Sequence, residues 1–128
     1  MTLPLDHLVI MGRDVAASRV FYGDLLPLLG FAQRREDIWV NDAGLHLQVL
    51  AAEAGTRGYE RRGPGLNHLG FGAPDAAFVE DLRAAMLAKG HAIQPIQRLG
   101  GAHALFMPDP DGLRVEVTWY PPGKNVVD

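Results

Sequence analysis

The 128-residue chain contains no cysteine, which excludes a disulfide framework, a thiolate metal site and a cysteine nucleophile. It has no apolar run near the roughly 20 residues that a bilayer span requires, so no membrane role is expected. Its start, Met-Thr-Leu-Pro-Leu-Asp, lacks a basic stretch followed by an apolar one, so no signal peptide and a cytoplasmic location are expected. Strong charge is missing too. A formal net charge of −3 gives no electrostatic footprint for nucleic acid. No Gly-rich phosphate loop, dinucleotide fingerprint or serine nucleophile motif occurs. What remains is enough apolar residue, 48% of the chain, to build a core at this length.

The chain does contain an internal repeat. Leu5-Asp6-His7-Leu8 aligns with Leu66-Asn67-His68-Leu69 at an offset of 61 residues (7 to 68). Leu45-His46-Leu47-Gln48-Val49 aligns with Leu113-Arg114-Val115-Glu116-Val117 at an offset of 68 (48 to 116). An ordinary loop insertion in the second copy accounts for the difference. His thus matches His, and Gln matches Glu. Two imidazoles, a carboxylate and an amide oxygen form a donor set for a first-row transition metal.

Each copy reads as strand, helix, then three strands. Leu3 to Met11 alternates, with His7, Val9 and Met11 on one face. Asp14 is a helix N-cap, followed by a stripe of Ala17, Val20, Phe21 and Leu25 that ends at Pro27 and Gly30. Gln33 to Asn41 gives two short strands, and Leu45 to Leu50 a third. In the second copy the strand is Leu66 to Gly72, the N-cap Asp75, and the buried stripe Phe78, Leu82, Ala85 and Met86, stopped by Gly90. Strands over Ala92 to Gln97, Ala102 to Met107 and Leu113 to Trp119 follow. The domain reading is one domain over 1–128, with a first module at about 3–52, a linker at 53–65, a second module at 66–120 and a tail at 121–128. Glu53 to Gly65, with four glycines and three arginines, reads as a mobile loop. The tail from Pro121 to Asn125 reads as loosely attached.

Strand alternation places Leu113, Val115, Val117 and Trp119 on one face and Arg114, Glu116 and Thr118 on the other. By the same rule His46, Gln48 and Leu50 lie opposite the helix-facing Leu47 and Val49. His7 and His68 read as mid-strand. Taken singly, a strand His is most often a hydrogen-bonded structural residue and a lone Glu a solvated one. The matched set points instead to one shared metal site.

These segments resemble the vicinal oxygen chelate superfamily, which includes glyoxalase I, methylmalonyl-CoA epimerase, extradiol dioxygenases, fosfomycin-modifying thiol transferases and bleomycin-resistance proteins. The carrying stretches are 6–10 (DHLVI), 21–26 (FYGDLL), 65–71 (GLNHLGF) and 109–116 (DPDGLRVE). The resemblance implies an α+β fold of two tandem βαβββ modules forming a curved mixed sheet, a half-barrel cup. It implies a divalent metal (Zn, Ni, Mn, Co or Fe) held by His7, Gln48, His68 and Glu116. Glu116 is also the candidate catalytic residue, a ligand able to move a proton. The ligand set is closest to that of methylmalonyl-CoA epimerase. It carries one negative charge, so a divalent ion would stay net positive and favour an anionic chelating substrate.

The chain also departs from family patterns. Met11 and Ala52 stand where glyoxalase I carries its glutathione-binding Arg and Asn. No carboxylate lies in Trp39 to Asn41, where an epimerase keeps its second base. The expected activity is therefore of lyase or isomerase type on a small oxygen-chelating molecule. The alternatives are an extradiol ring-cleaving dioxygenase, for which His103, Tyr120 and His46 are weak helper candidates, and a non-catalytic drug- or metabolite-binding protein. Arg34-Arg35 and Arg57, Arg61 and Arg62 read as solvated, with an anion-binding rim as the functional option, and Tyr59 is a candidate lid residue. A homodimer is expected.

Overall fold

The computed structural model describes residues 1–124. The chain divides into two compact units, Met1–Gly58 and Tyr59–Asp128. Each is built around a four-stranded mixed sheet, in accord with the βαβββ reading. Among the described residues no helix is long and apolar enough to cross a membrane.

In the first unit, β1 (His7–Gly12) leads into α1 (Val15–Leu25) and a 3-10 turn (Leu26–Leu29). Then come β2 (Phe31–Arg35), β3 (Ile38–Asn41) and β4 (His46–Ala51), in the spatial order β1-β4-β3-β2. The β1–β4 pair is parallel, and the other two pairs are antiparallel. Asp14 caps α1 by accepting a hydrogen bond from the Ala17 amide, which satisfies one of the orphan donors of the first turn. Gly30 closes the 3-10 turn with φ +93°, a conformation that costs glycine nothing and a Cβ-bearing residue a good deal.

The buried face of α1 is Ser18, Phe21, Tyr22 and Leu25. Val20, expected in the stripe, is 60% exposed and lies on the outer side of the helix. Phe21 and Tyr22 meet edge to face with ring centroids 5.0 Å apart. Trp39 of β3 lies 1% exposed. A Cβ built on Gly23 would sit 3.7 Å from its Cζ2 atom, an ordinary contact distance. Gly23→Ala should therefore stabilise the protein by roughly 0.5–1 kcal/mol, because it removes backbone entropy from the unfolded chain without a clash. A urea melt tests this, and a lowered midpoint would show that the helix cannot approach the indole with an extra methyl group.

The second unit repeats the plan. β5 (His68–Gly72) leads into α2 (Ala76–Ala88), followed by β6 (Gln97–Leu99), β7 (Ala102–Pro108) and β8 (Arg114–Trp119), in the order β5-β8-β7-β6. Asp75 caps α2 through the Phe78 amide at 2.7 Å. The helix buries Val79, Leu82 and Met86, while Phe78 and Ala85 are only half-buried, so the stripe is turned by one position from the expected one. β6 starts at Gln97 rather than Ala92. Pro95 has no amide to give a ladder, and the carbonyls of Ile93 and Gln94 are taken by the Arg83 guanidinium instead.

The register confirms the repeat. His7 pairs with His46 and Val9 with Gln48 across β1–β4. His68 pairs with Arg114 and Gly70 with Glu116 across β5–β8. In both copies the His opens the strand, where mid-strand positions were expected.

The connector carries specific hydrogen bonds. The Arg13 guanidinium donates to the carbonyls of Glu53, Thr56 and Arg57 and to the Thr56 hydroxyl. Tyr59, the candidate lid residue, keeps its hydroxyl within reach of the Leu66 and Asn67 carbonyls, at 2.7 and 3.0 Å. In the tail Lys124 donates to the Gly100 carbonyl, and the expectation for Asn125 lies outside the described residues.

Candidate functional site

The second unit brings two of the four expected ligands into contact. His68 Nε2 lies 2.9 Å from Glu116 Oε1. The other carboxylate oxygen, Oε2, accepts a very short hydrogen bond from the Thr118 hydroxyl. Glu116 is 9% exposed and Thr118 2%, so the polar face of β8 is buried and not the solvated surface that a lone strand Glu usually occupies. A carboxylate brought this far out of water needs partners for its charge.

The proton positions on His68 follow from its neighbours. The Asn67 side chain is oriented by its Nδ2 group, which donates to the Arg61 carbonyl at 3.0 Å. Its Oδ1 therefore faces His68 Nδ1, at 2.7 Å. An amide oxygen only accepts, so Nδ1 carries the proton. That leaves Nε2, in a neutral ring, with a lone pair aimed at a carboxylate oxygen. Two lone-pair atoms at 2.9 Å repel unless a cation lies with them. The cation is either a second ring proton or a metal ion, and this donor pair suits both.

The first unit shows the same device. His7 Nδ1 lies 2.7 Å from Asp6 Oδ2, again an acceptor-only partner on the preceding residue. The hydrogen bond with His7 is the main cause of an Asp6 pKa below its ordinary 3.8. Both histidines are thus held through Nδ1, which turns Nε2 outward from the fixing residue, the arrangement that orients an imidazole for metal ligation. His7, His46, Gln48, Asp6, Leu8 and Ile38 line a cavity of about 230 Å³. Among the described residues no three His, Asp or Glu side chains converge closely enough to make a metal site by themselves. The structure thus brings His68 into contact with Glu116 and lines one cavity with both His7 and Gln48.

Asp37 is the residue that the sequence did not single out. Its Oδ2 accepts from Gln48 Nε2 at 2.7 Å, and its carboxylate is also held by Arg35. The Gln48 hydrogen bond is the largest cause of an Asp37 pKa below 3.8, with Arg35 adding to it. Because the amide nitrogen is committed to Asp37, the Gln48 oxygen is the atom left for a ligand. The signal in sequence was weak: a Glu36-Asp37 turn directly before the strand that pairs with β4.

Arg114 and Phe106 complete the second unit's site. The Arg114 guanidinium lies 4.1 Å above the Phe106 ring, and that ring meets His68 edge to face with centroids 5.8 Å apart. Burial, then the like charges of Arg61 and Arg62, lower the Arg114 pKa, and Glu116 works in the opposite direction. Of the helper candidates, His46 lines the first unit's cavity, while His103 makes its contacts elsewhere. His103 packs edge to face on Trp119 and meets Arg98, and Trp119, expected in the core, is only half-buried. Arg34, Arg35, Arg57 and Arg62 are exposed, as a solvated reading requires.

Comparison with known proteins agrees with this architecture. Residues 4–117 match the family described as Glyoxalase/Bleomycin resistance protein/Dioxygenase superfamily. The chain is 30% identical over 123 residues to the uncharacterized protein YqjT of Bacillus subtilis (strain 168), covering 88% of this chain and 96% of that one. Among solved structures, a Bacillus halodurans protein provisionally described as a glyoxalase is 25% identical with a TM-score of 0.76, over 91% of this chain and 95% of its own. A glyoxylase/bleomycin resistance protein/dioxygenase domain from Frankia sp. EAN1pec shares the fold, with a TM-score of 0.77 at 23% identity over 97% and 96% of the two chains. The chain belongs to the glyoxalase/bleomycin resistance protein/dioxygenase superfamily.

Proposed function

We propose that the protein is a glyoxalase-like metal-dependent enzyme of lyase or isomerase type, acting on a small oxygen-chelating molecule. His7, Gln48, His68 and Glu116 would hold the divalent ion. The observation that carries this reading is His68 Nε2 facing Glu116 Oε1 at 2.9 Å, with the ring fixed by Asn67. When bound, the ion supplies Lewis-acid polarisation of the substrate oxygens.

The chain's own groups have separable tasks. Asn67 and Asp6 fix the two imidazole rings. Asp37 turns the Gln48 amide. Thr118 holds one oxygen of Glu116 and His68 faces the other, which is the oxygen that would take up or release a proton. Asp37 has both carboxylate oxygens engaged, one by Gln48 and one by Arg35, so it positions Gln48 and does not serve as a second base. This favours chemistry with one proton-moving carboxylate.

The first test is elemental analysis of purified, untagged protein. About one ion per chain supports the reading. Zinc, nickel or cobalt directs assays to lyase and isomerase substrates. Iron with oxygen uptake on catechols would replace the reading with a ring-cleaving dioxygenase. No metal after reconstitution would replace it with a non-catalytic binder. We also propose a cytoplasmic homodimer. Light scattering that gives a monomer at micromolar concentration would refute the assembly.

A further inference from the structure

We propose that Arg114 forms an oxyanion subsite beside Glu116 that binds a carboxylate or phosphate group of the substrate. The inference rests on the reading that the Glu116 face of β8 receives the substrate, and it names what that substrate must carry.

Arg114 precedes Glu116 by two residues on β8, so alternation puts the two side chains on one face of the strand. The Arg114 Nε atom is buried and has no hydrogen-bond partner. A buried donor on a charged group without an acceptor is costly, and native structures rarely keep one without a use. The guanidinium is also fixed in orientation. It lies 4.1 Å over the Phe106 ring, which holds its plane and leaves its edge to carry the in-plane N–H donors. A planar fork of N–H donors matches the two oxygens of a carboxylate or phosphate.

Glu116 has His68 and Thr118 as partners. Arg114 Nε, buried and held against the Phe106 ring, is left without an acceptor. Phe106 links this subsite to the ligand pair, since its ring also packs against His68. A substrate with an oxyanion next to its chelating oxygens would span both.

The test uses metal-free wild-type protein, so that failure of the metal reading leaves it intact. Arginine Nε–Hε resonances are followed by heteronuclear NMR during separate titrations with malonate and inorganic phosphate. Sodium chloride at matched ionic strength is the control. Arg114→Lys identifies the resonance by its loss. The expected result is a saturable shift of the Arg114 signal with malonate, phosphate or both, absent with chloride. Whichever probe saturates at lower concentration tells the two sources apart. Arg114→Met should weaken that binding about tenfold or more, the loss of a charge-assisted hydrogen bond, with an unchanged circular dichroism spectrum. No saturable shift with either anion in the wild type would overturn the proposal, as would equal binding by a folded Arg114→Met protein.

Discussion

Glu116→Gln is expected to lower divalent-metal affinity by about 100-fold or more, beyond the roughly 10–100-fold typical when only an outer partner of a ligand is lost. The substitution keeps shape and volume. Thr118 can still donate to the amide oxygen, so the fold should survive. What disappears is the single negative charge of the proposed ligand set. The experiment is a zinc titration in competition with a chromophoric chelator, on wild type and variant, with circular dichroism as the check on folding. The result also decides between the two cations that could lie between His68 Nε2 and Glu116 Oε1. If zinc affinity is unchanged, the pair is a structural imidazolium–carboxylate contact held by a proton, and the metal reading fails. In that case Glu116→Gln should also destabilise the protein, since one partner of a buried pair would be left uncompensated.

Trp39→Ala should cost about 3–5 kcal/mol, the range for removing a large aromatic from a closed core. Stabilities of single domains run to about 5–15 kcal/mol, so this one change would consume much of the total. Trp39 is 1% exposed and sits under α1 at Gly23. Its loss would open a void between the helix and the sheet that carries Gln48. Trp39→Phe is the informative partner. The indole Nε1 is buried without a hydrogen-bond partner, so the phenyl ring removes a cost as well as some contact. Its penalty should be clearly smaller than that of alanine. Equal penalties in denaturant melts would mean that ring volume, and not burial of an apolar surface, governs the site.

Much of this was legible from residue spacing. The repeat fixed the strand register in advance, because a strand has period two and a slip by one would have put His46 and Gln48 under the helix. The N-caps Asp14 and Asp75 stood out because an acceptor side chain before an apolar stripe has a specific partner in the first turn. The helix stripes were read less well. One hundred degrees per residue leaves adjacent apolar positions such as Phe78 and Val79 in competition, and only the packed sheet chooses. Asp37 was illegible for another reason. It lies outside the bounds of β2 and β3, next to a shift in their register, and reaches Gln48 across the hairpin. Glu116 taken alone would read as solvated, and only its match to Gln48 in the repeat marked it as a site residue, which its burial beside His68 accords with.

The acceptor behind each histidine has a consequence for donor strength. In one copy it is the carboxylate of Asp6, in the other the neutral amide of Asn67. A negative charge on the Nδ1 proton pushes electron density through the ring and makes the opposite nitrogen more basic, while an amide does so far less. The duplication has kept one ring orientation for both imidazoles and set it behind acceptors of different charge.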